Sequence, residues 1–535
     1  MAMIPNHTST PDDPTTPSAP GTISLIDCSL RDGHQSLLAT RMSTEQTLRV
    51  LPLLRDSGYR ILELWGGATL DAALRFTGDD PFERLDRFTG VLGNPTTGNG
   101  NVSIRSLCRG QNLFGYSPYP DNVVVEFLKA AVRSGTNRMR VFDALNDHRN
   151  LITAVMATKT FNGHAEAAIS YTTSPVHDIN HFVNFARKAL DCGADSLAIK
   201  DMAGLLHPAD AFELIEALKE NFPGVELTLH SHCTNGLATT TYVVGMLAGV
   251  DHLDVCYGPM AGATAQPPVE LISFFAQELG FSINVDMSLA PQIDAQLRQI
   301  RHELAEVDKA PQYMGRPWPQ QPDADMRAKI KQAVNLIQKR DRDSLNQAIA
   351  IVEDEILVPQ GYPPIDRRQL DAQVPGGMLS NLHNQLKEQG KLDQLPKILE
   401  EVPKVRKAAG YVPLVTPTSQ IVGTQAAFNV IQGPPYSFVS EPFRNLLMGK
   451  YGRLPGPADP TVLEHVARGQ PVTYNRPADG VDDVDLEQVY RDNADLIRSH
   501  RDLLLLVLFP NPARQFLLSQ KKDPACVVER QHVLN

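Results

Sequence analysis

The sequence predicts an α/β fold, a (β/α)8 TIM barrel followed by a mostly helical C-terminal domain. Between residue 23 and about residue 260, eight short β-branched or apolar runs recur at intervals of roughly 25 to 40 residues, with helical stretches between them. Beyond about residue 300 the pattern changes to long amphipathic segments with few strand signals. No GxGxxG follows any of the runs, which sets aside an open doubly wound sheet with a dinucleotide site.

Taken in order, the expected strands are Ile23–Asp27, Arg60–Leu64, Val102–Leu107, Met139–Phe142, Ala168–Thr172, Ser196–Lys200, Glu226–His230 and His252–Cys256. Residues 1–21, with five prolines among Ser, Thr and Asp, read as a disordered tail and not as a signal peptide. The barrel is expected over 22–300, a helical domain completing the active site over 301–480, and a helical extension over 481–535. In the second domain, Asp325–Lys339, Arg342–Ile356 and Leu379–Gln389 read as helices. Pro359–Pro364, Pro375–Gly377 and Gly433–Pro435 read as turns. The apolar run Leu503–Phe509 is too short to span a bilayer, which needs roughly 20 residues, and reads as a buried helix.

Composition narrows the function. The 535 residues carry a formal charge of −11 with 6% aromatics, and no basic tail or aromatic-basic stripe offers phosphate contacts to a nucleic acid. Cys28, Cys108, Cys192, Cys233, Cys256 and Cys526 are scattered without a CxxC pair, as expected of thiols in a cytoplasmic protein without membrane insertion.

In a (β/α)8 barrel the chemistry sits where the strands end. Asp32 follows the first expected strand, and His230 and His232 close the seventh. An i, i+2 spacing on a strand turns both imidazoles to one face. One carboxylate and two imidazoles suit a divalent metal such as Zn, Mn or Co, although strand-end histidines satisfied by ordinary hydrogen bonds have the same spacing. Lys200 ends the sixth strand. As an ammonium it pairs with Asp201 or snorkels, whereas a carbamate made with CO2 turns it into an oxygen donor. The fork of Arg109 suits a substrate carboxylate or a rim salt bridge. Tyr116 offers a hydrogen bond to an oxyanion, or is a surface tyrosine. Asp71 follows Trp65 and the glycine pair Gly66–Gly67, which permits a close backbone approach. Thr416, in VTPTSQ, belongs to a hydroxyl-rich turn of the kind that caps a helix.

Together these stretches resemble the carboxyltransferase component of biotin-dependent enzymes acting on pyruvate and oxaloacetate. That family includes the carboxyltransferase domain of pyruvate carboxylase, the oxaloacetate decarboxylase alpha subunit and the pyruvate-binding subunit of methylmalonyl-CoA:pyruvate transcarboxylase. The matching stretches are RDGHQSLLATRM (31–42), LELWGGATLDAALRF (62–76), RGQNLFGY (109–116), VFDALND (141–147), SPVH (174–177), IKDMAGLL (199–206), VPGGMLSNL (374–382), EVPKVRKAAG (401–410) and LVTPTSQIVGTQAAFNV (414–430). The resemblance implies metal ligands Asp32, carbamylated Lys200, His230 and His232. It implies substrate contacts from Gln35, Arg109 and Tyr116 with Asp71 nearby, and a proton shuttle in Thr416. It also implies a 2-oxo acid substrate, biotin presented in trans by a separate carrier protein, a second carboxyltransferase subunit as a further partner, and a homodimer.

The chain departs from the family at several points. No Met-Lys-Met biotinylation signal and no ATP-binding domain is present in the sequence. Gln420 stands where pyruvate carboxylase is expected to have lysine. With Arg476–Asp479, it points to the decarboxylase and transcarboxylase branch. HSHCTNG (230–236) puts Cys233 where an Asp is expected, and YGPMAGATAQPP (257–268) is altered from the familiar loop. A decarboxylase of a specialised oxo acid that works without biotin is one alternative. Another is a metal-dependent Claisen-type lyase or synthase, whose barrels share RDG and HxH but need neither Lys200 nor Thr416. A non-catalytic scaffold that docks the carrier is a third.

Overall fold

The computed structural model describes residues 21–94, 100–365 and 376–520; the expected tail lies outside these, save Gly21, as do Cys526 and Pro375, whereas Gly376 and Gly377, expected in a turn, open a helix. Eight parallel strands form a closed barrel: β1 Thr22–Asp27, β2 Ile61–Gly66, β3 Ser103–Cys108, β4 Thr136–Phe142, β5 His164–Ser170, β6 Ser196–Asp201, β7 Leu227–Ser231 and β8 His252–Val255. Each pairs with the next, and β1 pairs with both β8 (Ser24 opposite His252) and β2 (Asp27 opposite Leu62), which shuts the ring. A two-residue β9, Ser282–Ile283, pairs outside the ring with Thr22 and Ile23.

Each expected strand is present. The one expected at Ala168–Thr172 begins earlier, at His164, because Glu166 faces the barrel interior, so the strand has no apolar start to read. Interior charge is general here. Glu63, Arg105, Arg140, Glu166 and Asp254, one from each of five strands, are buried with Arg31 and form ion pairs with one another. Arg105 Nε donates to Glu63 at 2.8 Å and its Nη2 to Asp254 at 2.7 Å; Arg140 pairs with Glu166 and Asp254. Buried charge persists only when paired in this way.

Helices Ala324–Ile337 and Arg342–Ala350 pack into the barrel's own apolar core through Ile330, Val334, Leu345 and Ala348. So does the helix His500–Leu508, whose Leu503–Leu506 are buried as expected for this apolar run. A second core joins Met378, Leu382, Ile398, Val402, Val422 and Phe443 from the helices Gly376–Glu388, Leu395–Ala408, Thr418–Ile431 and Glu441–Leu447. Among the described residues no helix is long and apolar enough to cross a membrane.

The helical segment docks on the mouth of the barrel where the strands end. Arg406 Nη2 donates to Thr172 Oγ1 at 2.8 Å and to the Thr173 carbonyl, and Asn150 Nδ2 donates to the Tyr451 carbonyl at 2.8 Å. Val415 packs with Phe142 at the end of β4, with Ala144 beyond it, and with Ala168 of β5 and Ala198 of β6, which sets the residue after it over the barrel mouth.

Candidate active site

Three strand ends supply the central donors. The turn after β1 carries Asp32, β6 carries Lys200, and β7 carries His230 with His232 one residue beyond it; all four are buried. Asp32 Oδ2 lies 3.3 Å from His230 Nε2 and 3.5 Å from His232 Nε2, and the two Nε2 atoms are 3.2 Å apart. One ligand atom from each of these residues lies within 4.8 Å of the others.

The outer partners decide which nitrogen can ligate. His230 Nδ1 sits 2.8 Å from the Asp254 carboxylate and His232 Nδ1 2.6 Å from the Thr264 carbonyl, so each Nδ1 carries the proton and each Nε2 turns a lone pair inward. Burial lowers the His232 pKa to about 4, which keeps that ring neutral. Burial works against the charge of Asp32, but Arg31, His232 and His230 hold its carboxyl well below the usual range. Two imidazoles whose Nδ1 atoms are engaged and a carboxylate, all converging, fit a divalent transition metal.

Lys200 Nζ is 3.2 Å from His230 Nε2 and 5.9 Å from the centre of the Phe142 ring, and burial lowers its pKa to about 8. The expected pairing with Asp201 is absent. The Asp201 carboxylate instead accepts from the Leu205 and Leu206 amides and the Ser231 hydroxyl, leaving the amine facing the histidines. Phe142, which also packs with Val415, links Lys200 to the segment that bears Thr416.

The remaining residues spread around this centre. Gln35 accepts a 3.1 Å hydrogen bond from Arg31. Arg109 donates through Nη2 to the Phe114 carbonyl, while its Nη1 is buried without a partner, a donor aimed at nothing the described residues supply. Its guanidinium lies 5.7 Å from the ring of Tyr116, a residue 59% exposed. Asp71 pairs with Arg75 at 2.6 Å, and the glycine pair before it serves packing: a Cβ on Gly67 would come 2.5 Å from Phe114 Cδ1. Thr416 is half-buried. The capping expected of its hydroxyl-rich turn is not seen. The helix from Thr418 has no side-chain cap, and Thr418 Oγ1 donates back to the Val415 carbonyl at 2.7 Å.

Three contributors escape a reading of the sequence. Gln266 Nε2 donates to Asp32 Oδ2 at 2.9 Å and lies 3.2 Å from His232 Nε2; Asp254 and the Thr264 carbonyl orient the imidazoles. Asp254 has a signal, an acid in the middle of the apolar run HLDVC. Gln266, in an irregular loop, has none.

Two family models match the chain, one described as a conserved carboxylase domain over residues 370–535 and one as HMGL-like over 122–296. A pyruvate carboxylase subunit from Methanocaldococcus jannaschii is 37% identical over 94% of this chain and 78% of its own length. The methylmalonyl-CoA carboxyltransferase 5S subunit of Propionibacterium freudenreichii is 35% identical over 95% of this chain and 90% of its own. Among solved structures, the carboxyl transferase domain of Rhizobium etli pyruvate carboxylase with pyruvate superposes with a TM-score of 0.74 at 28% identity, covering 94% of this chain and 78% of that one.

Proposed function

The chain belongs to the carboxyltransferase family of biotin-dependent enzymes, and on that premise we propose that it interconverts oxaloacetate and pyruvate, exchanging the carboxyl group with biotin presented by a separate carrier protein. The observation that carries this reading is the convergence of Asp32, His230 and His232 beside Lys200, under the segment that bears Thr416.

Asp32, His230 and His232 would hold a divalent metal such as Zn, Mn or Co, with Lys200, once carbamylated, as the fourth ligand. Bound there, the metal supplies Lewis acidity to the keto oxygen of the oxo acid. The buried Nη1 of Arg109 would offer the substrate carboxylate a charge-assisted hydrogen bond, and Gln35, held by Arg31, would be a second substrate contact. In the decarboxylating direction the C–C bond to the departing carboxyl group breaks and that group passes to the ureido nitrogen of biotin. Thr416 takes the proton this nitrogen loses and gives its own to the substrate carbon left behind. A hydroxyl suits this relay because it passes one proton as it receives another and never carries net charge.

The test is pyruvate formation from oxaloacetate by the purified chain, above the spontaneous rate, with and without free biotin. Biotin-stimulated turnover that is lost in Thr416→Ala supports the reading. Turnover indifferent to biotin replaces it with a stand-alone decarboxylase, and absence of turnover in metal-loaded protein removes oxaloacetate as substrate.

A further inference from the structure

Behind His232, on the side away from the converging lone pairs, lies a cavity of about 150 Å³. Its walls come from the two stretches that depart from the family pattern, Cys233–Thr234 and Gly262–Thr264, and from the segment Glu353–Ile365 that straps across them. Two glycines allow the strap to lie this close. A Cβ on Gly236 would come 1.6 Å from Ile365 Cδ1 and 3.2 Å from Glu353 Cδ, and one on Gly262 would come 2.4 Å from Tyr362.

Two of the oxygens lining it have no partner, whereas the Thr264 and Tyr362 hydroxyls are already committed to the Ser36 and Gly258 carbonyls. Glu353 is 6% exposed, and its Oε1 is buried without a hydrogen-bond partner. Thr234 Oγ1, also lining the cavity, is buried and unpartnered. So is Oδ1 of the adjacent Asn235, whose Nδ2 is already committed to the Ala203 and Gly204 carbonyls. No described lysine, arginine or histidine pairs with Glu353; the charged group that bears on it is its neighbour Asp354, of the same sign. A carboxylate buried in this way is costly unless a cation meets it.

We propose that this cavity binds a potassium-sized monovalent cation, held by the Glu353 carboxylate and the Thr234 hydroxyl. Two oxygen donors with a single carboxylate are too weakly charged for Ca²⁺ or Mg²⁺, and the one sulfur in the wall, Cys233, is kept a protonated thiol by burial, whereas transition metals favour thiolate or imidazole. The cation would be felt at the catalytic centre. Thr264 lines the cavity, and its carbonyl accepts the Nδ1 proton of His232, so ordering this loop orders that imidazole.

Crystals of the full chain soaked in rubidium chloride test the site directly, and melting curves in potassium chloride against choline chloride at matched ionic strength test it in solution. The expected results are an anomalous rubidium peak between Glu353 and Thr234, and a saturable rise in Tm that potassium gives and choline does not. That rise is lost in Glu353→Gln. Should this variant fail to fold, Thr234→Val is expected to shift the potassium midpoint to higher concentration. An empty cavity at saturating rubidium, an equal response to choline, or displacement of rubidium by equimolar magnesium or calcium overturns the proposal. Neither readout depends on turnover, so failure here is distinct from failure of the carboxyltransferase reading.

Discussion

Replacing Asp254 with asparagine separates what the barrel interior does for stability from what it does for the catalytic centre. The Asp254 carboxylate meets His230 Nδ1 at 2.8 Å, Arg105 at 2.7 Å and Arg140 at 2.5 Å, all fully buried. Burial raises its pKa, but Arg105, Arg140 and His230 outweigh that and hold it well below the usual carboxylate range. Asp254→Asn keeps the size and removes the charge. Arg105 and Arg140 then lose their shared anion and keep only Glu63 and Glu166, of which Glu63 is also shared with Arg31 (itself paired with Asp32), and removing one partner of a buried charge pair costs about 3–5 kcal/mol. His230 also loses the anion that fixes its tautomer, a change that lowers metal affinity about 10–100-fold, or about 1.4–2.7 kcal/mol. Glu166→Gln is the control. It removes the same charge from the same network, where Glu166 bonds Arg140 and Thr228 but not His230. Both variants should lose Tm, and only Asp254→Asn should lose metal when dialysed against a graded chelator series. Equal metal retention by the two folded variants would refute the claim that Asp254 orients a ligand.

Four other outcomes are expected. Arg109→Lys keeps the charge and loses the planar fork, so KM for the oxo acid should rise about 10–100-fold, the worth of one charge-assisted hydrogen bond, with kcat less affected. Gly67→Ala should raise KM without touching substrate, because its methyl would displace Phe114, whose carbonyl holds Arg109; steady-state kinetics reads both. Native mass spectrometry of the intact chain should find an increment equal to CO2 that is absent in Lys200→Met. Burial raises the Glu270 pKa from 4.5 to about 8, so between these values the unfolded chain has lost a proton that the folded chain keeps, and stability should fall as pH rises from about 5 to 8. Glu270→Gln should flatten that part of the Tm–pH curve.

The fold is legible because most of the strands keep a short apolar run although charged residues are set among them; β5 reads late where Glu166 breaks the pattern. The converging donors are legible for a local reason: on a strand, i and i+2 share a face, so His230-Ser231-His232 places both rings before any tertiary contact is known. What positions those rings comes from far along the chain. Gln266 is 234 residues from Asp32 and Thr264 is 32 from His232, both in a loop without periodicity. No spacing rule relates such residues, because only closure of the barrel brings the β8 loop back over the β1 turn. Thr416 shows the same limit from the other direction. Its local pattern is that of a helix cap, yet the cap is absent and the neighbouring hydroxyl turns back to Val415. A hydroxyl group freed from capping, on a segment packed against the strand ends, has no structural duty in its own helix, and its value lies in what the barrel presents to it.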